Sequence, residues 1–67
     1  MALTTAQQAL LDRLQAQARA AEKDPITYSR GFVIGTLGCH KTVAAALVRK
    51  QLAVRKQGVF GAWIDVL

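Results

Sequence analysis

The sequence predicts a small α+β fold, mainly helical, with a three-helix core followed by a C-terminal β-hairpin. Three observations predict it. Apolar residues recur once per helical turn from Ala6 to Ala21. A second stretch, Ser29 to Lys50, divides at Gly38 into two short segments with that same spacing. After Lys50 the apolar period falls from four to two, the mark of strands.

The first helix is expected over about residues 5–22, with Thr4 or Thr5 as N-cap. Asp24-Pro25 ends it, because proline disfavours helical geometry in the residue before it. Ala6, Leu10, Leu14, Ala18 and Ala21 form its apolar stripe, Leu11 widens that face, and Gln7, Gln8, Gln15 and Gln17 occupy much of the rest. This is a scaffold helix over the core. The alternative is a surface for self-association, with Leu3 and Leu11 left over. Pro25 to Tyr28 reads as an extended connector in which Ile26 and Tyr28 supply a minimal strand.

Ser29 offers the N-cap of a second helix beginning at Arg30, with Val33 and Leu37 on its inner face. Gly31 and Gly35 each weaken that helix by roughly 1 kcal/mol relative to alanine, so packing must hold it. Gly38, between the apolar Leu37 and Cys39, is free to take positive φ and make the turn. Val43 and Leu47 then mark the inner face of a third helix, in which Ala44 and Ala46 permit close approach.

The hairpin is expected over about residues 52–67, with Gly58 and Gly61 bracketing its tip. Centring the loop on Val59 sets Leu52 against Val66, Val54 against Ile64 and Lys56 against Ala62, with the branched apolar residues on one side. Centring it between Val59 and Phe60 sets Val54 against Asp65, which burial disfavours, so the first register is expected. It puts Arg55 opposite Trp63 on the outer face, where a guanidinium stacks on an indole.

The chain has 67 residues, of which 52% are apolar. That is one domain, and a chain of this length buries only about 60% of its unfolded surface. The lone Cys39 excludes an internal disulfide and suits a reducing compartment. No apolar run approaches the roughly 20 residues that span a bilayer, and the start of the chain lacks a secretion-signal layout. The expectation is a cytoplasmic protein with no membrane association.

The net charge of +5 is unevenly distributed. Residues 1–28 balance Arg13, Arg19 and Lys23 against Asp12, Glu22 and Asp24, whereas residues 29–67 set Arg30, Lys41, Arg49, Lys50, Arg55 and Lys56 against Asp65 alone. This asymmetry favours a polyanionic partner, nucleic acid ahead of an anionic membrane surface. The plain alternative is a charged face kept for solubility.

Residues 29–50 resemble a helix-turn-helix. Val33, Leu37, Cys39, Ala44 and Leu47 fall on the apolar positions of that family and Gly38 on its turn glycine. The phrase LGCHKTVAAALVRK is similar to the recognition-helix phrase of bacterial and phage regulators, and LVRKQLAV resembles the passage from helix to wing in winged helix-turn-helix proteins. The chain departs from the pattern at Ile34, where a small residue is usual, and at Gln51, where glycine is usual. The spacing from Gly38 to Thr42-Val43 is also one residue short.

The resemblance implies a double-stranded DNA-binding protein, a transcriptional regulator or DNA-complex accessory factor, working as a homodimer and associated with the nucleoid. Its recognition helix would open with His40, Lys41 and Thr42 and carry Ala45 and Arg49 one and two turns on. Lys41 would donate to guanine, Thr42 would meet a phosphate or a thymine methyl, and Ala45 would make an apolar contact. Arg30, Lys50, Arg55 and Lys56 would hold phosphates, with Gln57 and Phe60 on the wing.

Other chemistries find little support. His40 beside Cys39 cannot supply the four ligands of a structural metal site, so no metal is expected, and no cofactor or small-molecule ligand is indicated. No Ser, His and Asp set or phosphate-cradling glycine loop can be assembled, so an enzyme is not expected. The rival reading is a small protein-binding adaptor or inhibitor whose basic face docks on an acidic protein, with Phe60 or Trp63 as anchors.

Overall fold

The computed structural model describes residues 3–36, 38–59 and 61–67. Helix α1 (Thr5–Lys23) starts where the Thr4 hydroxyl accepts from Gln7 N at 3.1 Å and the Gln7 side chain returns the bond to Thr4 N at 3.2 Å. Two otherwise orphaned amides are thus satisfied at once. The helix ends at Asp24, whose N–H still reaches Ala20 O. The Thr27 hydroxyl and amide hold the Asp24 carboxyl below the ordinary carboxylate range.

Strand β1 (Phe32–Val33), helix α2 (Lys41–Arg49) and strands β2 (Ala53–Gly58) and β3 (Gly61–Val66) follow. The three strands form one antiparallel sheet in the order β1-β3-β2. Leu10, Leu11 and Leu14 of α1 meet Cys39, Ala44 and Leu47, together with Ala53 and Ile64, in the core. Leu14, Leu47 and Ile64 have no exposed surface.

The α+β class stands, but the three-helix core does not: the described residues form two helices and a three-stranded sheet. Where a second helix was expected from Arg30, Gly31 (φ 81°), Gly35 (φ 96°) and Gly38 (φ 83°) are all left-handed. A helix needs φ near −63°, so three such residues within one short segment prevent it. Phe32 and Val33 pair instead with Ile64 and Trp63. Ile34 N donates to Ala62 O at 2.9 Å, and Gly35 N closes the loop onto Cys39 O at 2.9 Å. Ser29, the expected cap of the missing helix, instead accepts from Gln17 Nε2 at 2.9 Å through its carbonyl.

The minimal strand therefore lies at Phe32–Val33, not at Ile26 and Tyr28. Residues 25–27 form a turn, and Ile26 is 96% exposed. Of the five apolar positions in the helix-turn-helix resemblance, Cys39, Ala44 and Leu47 are buried, Val33 is exposed, and Leu37 lies outside the described residues. Leu11 is buried, as a residue widening the apolar face of α1 should be, and Leu3 packs partly against the core, so neither is left over for the self-association alternative.

The hairpin adopts the register that burial argued against. Ala53 pairs with Val66, Val54 with Asp65, Arg55 with Ile64, Lys56 with Trp63 and Gln57 with Ala62. Gly58 pairs with Gly61, so the two glycines close the ladder at the hairpin tip. Asp65 is tolerated because it is satisfied: its Oδ2 accepts from Arg30 Nε at 3.0 Å and its Oδ1 from Val66 N at 2.8 Å. The expected Arg55–Trp63 stack is replaced by Lys56, whose Nζ lies 5.1 Å from the Trp63 ring centroid.

Helix α2 ends in a Schellman turn, with Leu52 N donating to Leu47 O at 3.1 Å and Gln51 N to Val48 O at 3.0 Å. Gln51 takes φ 60°, the left-handed conformation that glycine adopts most readily. Gln51 thus makes the bend that its departure from the winged-helix pattern left open.

Candidate nucleic-acid interface

Helix α2 is short and held from both ends. His40 Nδ1 accepts from Thr42 N at 3.2 Å as the N-cap, so the imidazole closes the helix. Ala44, Ala46 and Leu47 are buried, which turns Lys41, Thr42, Ala45 and Arg49 outward. Lys41, Ala45 and Arg49 recur at four-residue spacing and share one face. The rise of about 1.5 Å per residue separates the two cations by roughly 12 Å along the axis.

Strand β2 adds to that face. Arg55 pairs with the fully buried Ile64, and Gln57 pairs with Ala62, so both lie on the helix side of the sheet. A groove of about 590 Å³ runs between α2 and β2, floored by Ile34, Ala44 and Val48 and rimmed by Lys41, Thr42, Arg49 and Arg55. No carboxylate lines it, and among the described residues Lys41, Arg49 and Arg55 take part in no ion pair. Three cations thus face solvent around one concavity.

The remaining expected contacts go elsewhere. Lys50 points to α1, where its Nζ donates to Gln7 Oε1 at 2.9 Å. Arg30 and Lys56 stand on the opposite side of the sheet, at 3.0 Å and 3.9 Å from Asp65 Oδ2. Phe60, the expected wing tip, lies outside the described residues. The structure therefore gathers Lys41, Thr42, Ala45, Arg49 and Arg55 with Gln57 nearby, and separates Arg30, Lys50 and Lys56 from them.

Two features were missed in the sequence, one on this face and one on the opposite side of the sheet. The apolar floor of Ile34 and Val48 had a signal at Val48, one turn after Ala44 on a helix. Asp65 had one too, as the lone acid in the apolar run Trp63 to Leu67, but its partner Arg30 is 35 residues away. Arg13 is likewise structural: its Nη1 donates to Gly38 O at 3.1 Å and its guanidinium covers Phe32 at 5.1 Å.

Among the described residues, no helix is long and apolar enough to cross a membrane. No protein-family model matches the chain, and neither curated proteins nor solved structures give a match to it.

Proposed function

We propose that this protein binds double-stranded DNA, with α2 lying in the major groove and β2 along the backbone. The single observation that carries the reading is the convergence of Lys41, Arg49 and Arg55 on one groove that no carboxylate lines. Their spacing suits the target, since the roughly 12 Å between Lys41 and Arg49 along the helix compares with a major groove about 12 Å wide. Thr42 and Ala45, exposed between them, offer a hydroxyl and a methyl to base edges. Of the likeness to winged helix-turn-helix proteins, this reading keeps the second helix and the hairpin.

A single module this small buries little surface, so specific binding calls for a homodimer on two half-sites. Regulation of transcription or assembly of a DNA complex in the cytoplasm, on the nucleoid, follows from that activity. Catalysis has no part in it.

Fluorescence anisotropy with a labelled mixed-sequence duplex at a series of salt concentrations tests the reading. With three phosphates held, log affinity should fall against log salt with a slope of roughly −3. Absence of binding at low salt would reject it and favour a basic face that docks on an acidic protein.

A further inference from the structure

Five of the six cations of residues 29–67 divide between the two sides of the sheet, three around the groove and two beside Asp65. On the helix side, Lys41, Arg49 and Arg55 have no acid among the groove residues. On the outer side, Arg30 and Lys56 converge on Asp65, which is 3% exposed. Arg30 Nε lies 3.0 Å and Lys56 Nζ 3.9 Å from the same Oδ2, and Arg30 Nη1 also lies 4.0 Å from Glu22 Oε1. Both cations are thus engaged with carboxylates. Lys56 is further committed by the Trp63 ring beneath it.

We propose that Asp65 makes binding one-sided: by holding Arg30 and Lys56 it withholds them from phosphate, so that the duplex meets only the α2 and β2 face. This rests on the DNA-binding reading and adds to it a residue that decides orientation. The chemistry is competition between anions. A phosphate recruiting Lys56 or Arg30 would have to leave Asp65 buried with one partner fewer, and a buried carboxylate that loses its partner carries a large desolvation penalty. A phosphate meeting Arg55 or Arg49 breaks no ion pair among the described residues. Asp65 is a positioning residue here, acting through the two cations it holds.

The test is the salt dependence of duplex binding for the wild type, Arg55→Gln, Lys56→Gln and Asp65→Asn, each checked for folding by circular dichroism. Arg55→Gln should lower the slope by about one. Lys56→Gln, also at an exposed cation of β2, should leave it unchanged. Asp65→Asn, if it folds, should raise the slope by one to two as the released cations reach phosphate, an effect that mere loss of stability cannot produce.

If Asp65→Asn does not fold, the comparison of Lys56→Gln with Arg55→Gln decides alone. A Lys56→Gln slope reduced as much as that of Arg55→Gln, with wild-type binding intact, would overturn one-sidedness while sparing the DNA-binding reading. A wild-type protein that does not bind duplex at all would overturn both.

Discussion

Lys50 Nζ donates to Gln7 Oε1 at 2.9 Å, across the gap between the end of α2 and the start of α1. The same oxygen also accepts from Thr4 N at 3.2 Å, so one amide group closes the first turn of α1 and ties down the cap of α2. Losing it removes two hydrogen bonds, one of them half of a reciprocal cap. Gln7→Ala should cost about 1–2 kcal/mol of stability in urea unfolding. Lys50→Ala, which removes only one surface contact, should cost under about 1 kcal/mol. It should also weaken duplex binding less than Arg49→Ala does.

Gly31 is fixed by contact as well as by backbone. Its φ is 81°, and a Cβ there would run into Ile64 O and, at 2.7 Å, Trp63 Cε3. Gly35 has φ 96° but open space around the same position. Gly31→Ala should therefore destabilise by about 3 kcal/mol or more, combining left-handed strain with overpacking. Gly35→Ala carries the strain alone, about 1–2 kcal/mol. Thermal melts of the two variants side by side check the difference.

Gln51 makes the opposite case. It is the one non-glycine residue with positive φ among the described residues, and its side chain is exposed. Gln51→Gly removes the left-handed penalty while adding freedom to the unfolded chain, for a net gain of about 0.5–1 kcal/mol. A rise in the urea midpoint without change in slope is the expected result.

Cys39 is 2% exposed, and burial pushes its thiol up from the ordinary 9.0, against a smaller opposing pull from Arg13. The fold thus favours the neutral thiol. Its contribution is complete below the unfolded thiol value and is lost as pH rises through the folded one. Melting temperature should fall as pH climbs above about 9, and Cys39→Ser should flatten that alkaline decline. Ellman's reagent at pH 8 should label the folded protein slowly and the urea-unfolded protein at once.

How much of this the sequence disclosed depends on how local each cause is. Helix α1 is legible because its stripe, its Thr4 cap and its Asp24-Pro25 stop all lie within it. Helix α2 is legible from Val43 and Leu47, and the hairpin from its glycines and its period of two. The segment from Arg30 is not, because apolar spacing alone does not separate a helix from a two-residue strand plus turns. Gly31 and Gly35 read there as a modest helix penalty and Gly38 alone as a positive-φ turn, whereas all three use positive φ.

The register failed for a non-local reason. Setting Val54 against Asp65 looks costly until Arg30 arrives from 35 residues away. That contact also removes Arg30 and Lys56 from the expected phosphate-binding set. Charge totals placed the basic surface in the right part of the chain, but not on one side of it.

The most direct test of the central claim is a nitrogen-15 chemical-shift map of the protein titrated with a mixed-sequence duplex at low salt. The account predicts that the amides of Lys41, Thr42, Ala45, Arg49 and Arg55 shift progressively, while Val33 and the Trp63 indole stay where they are. Shifts centred on Val33, Lys56 and Trp63, or none at all, would contradict it.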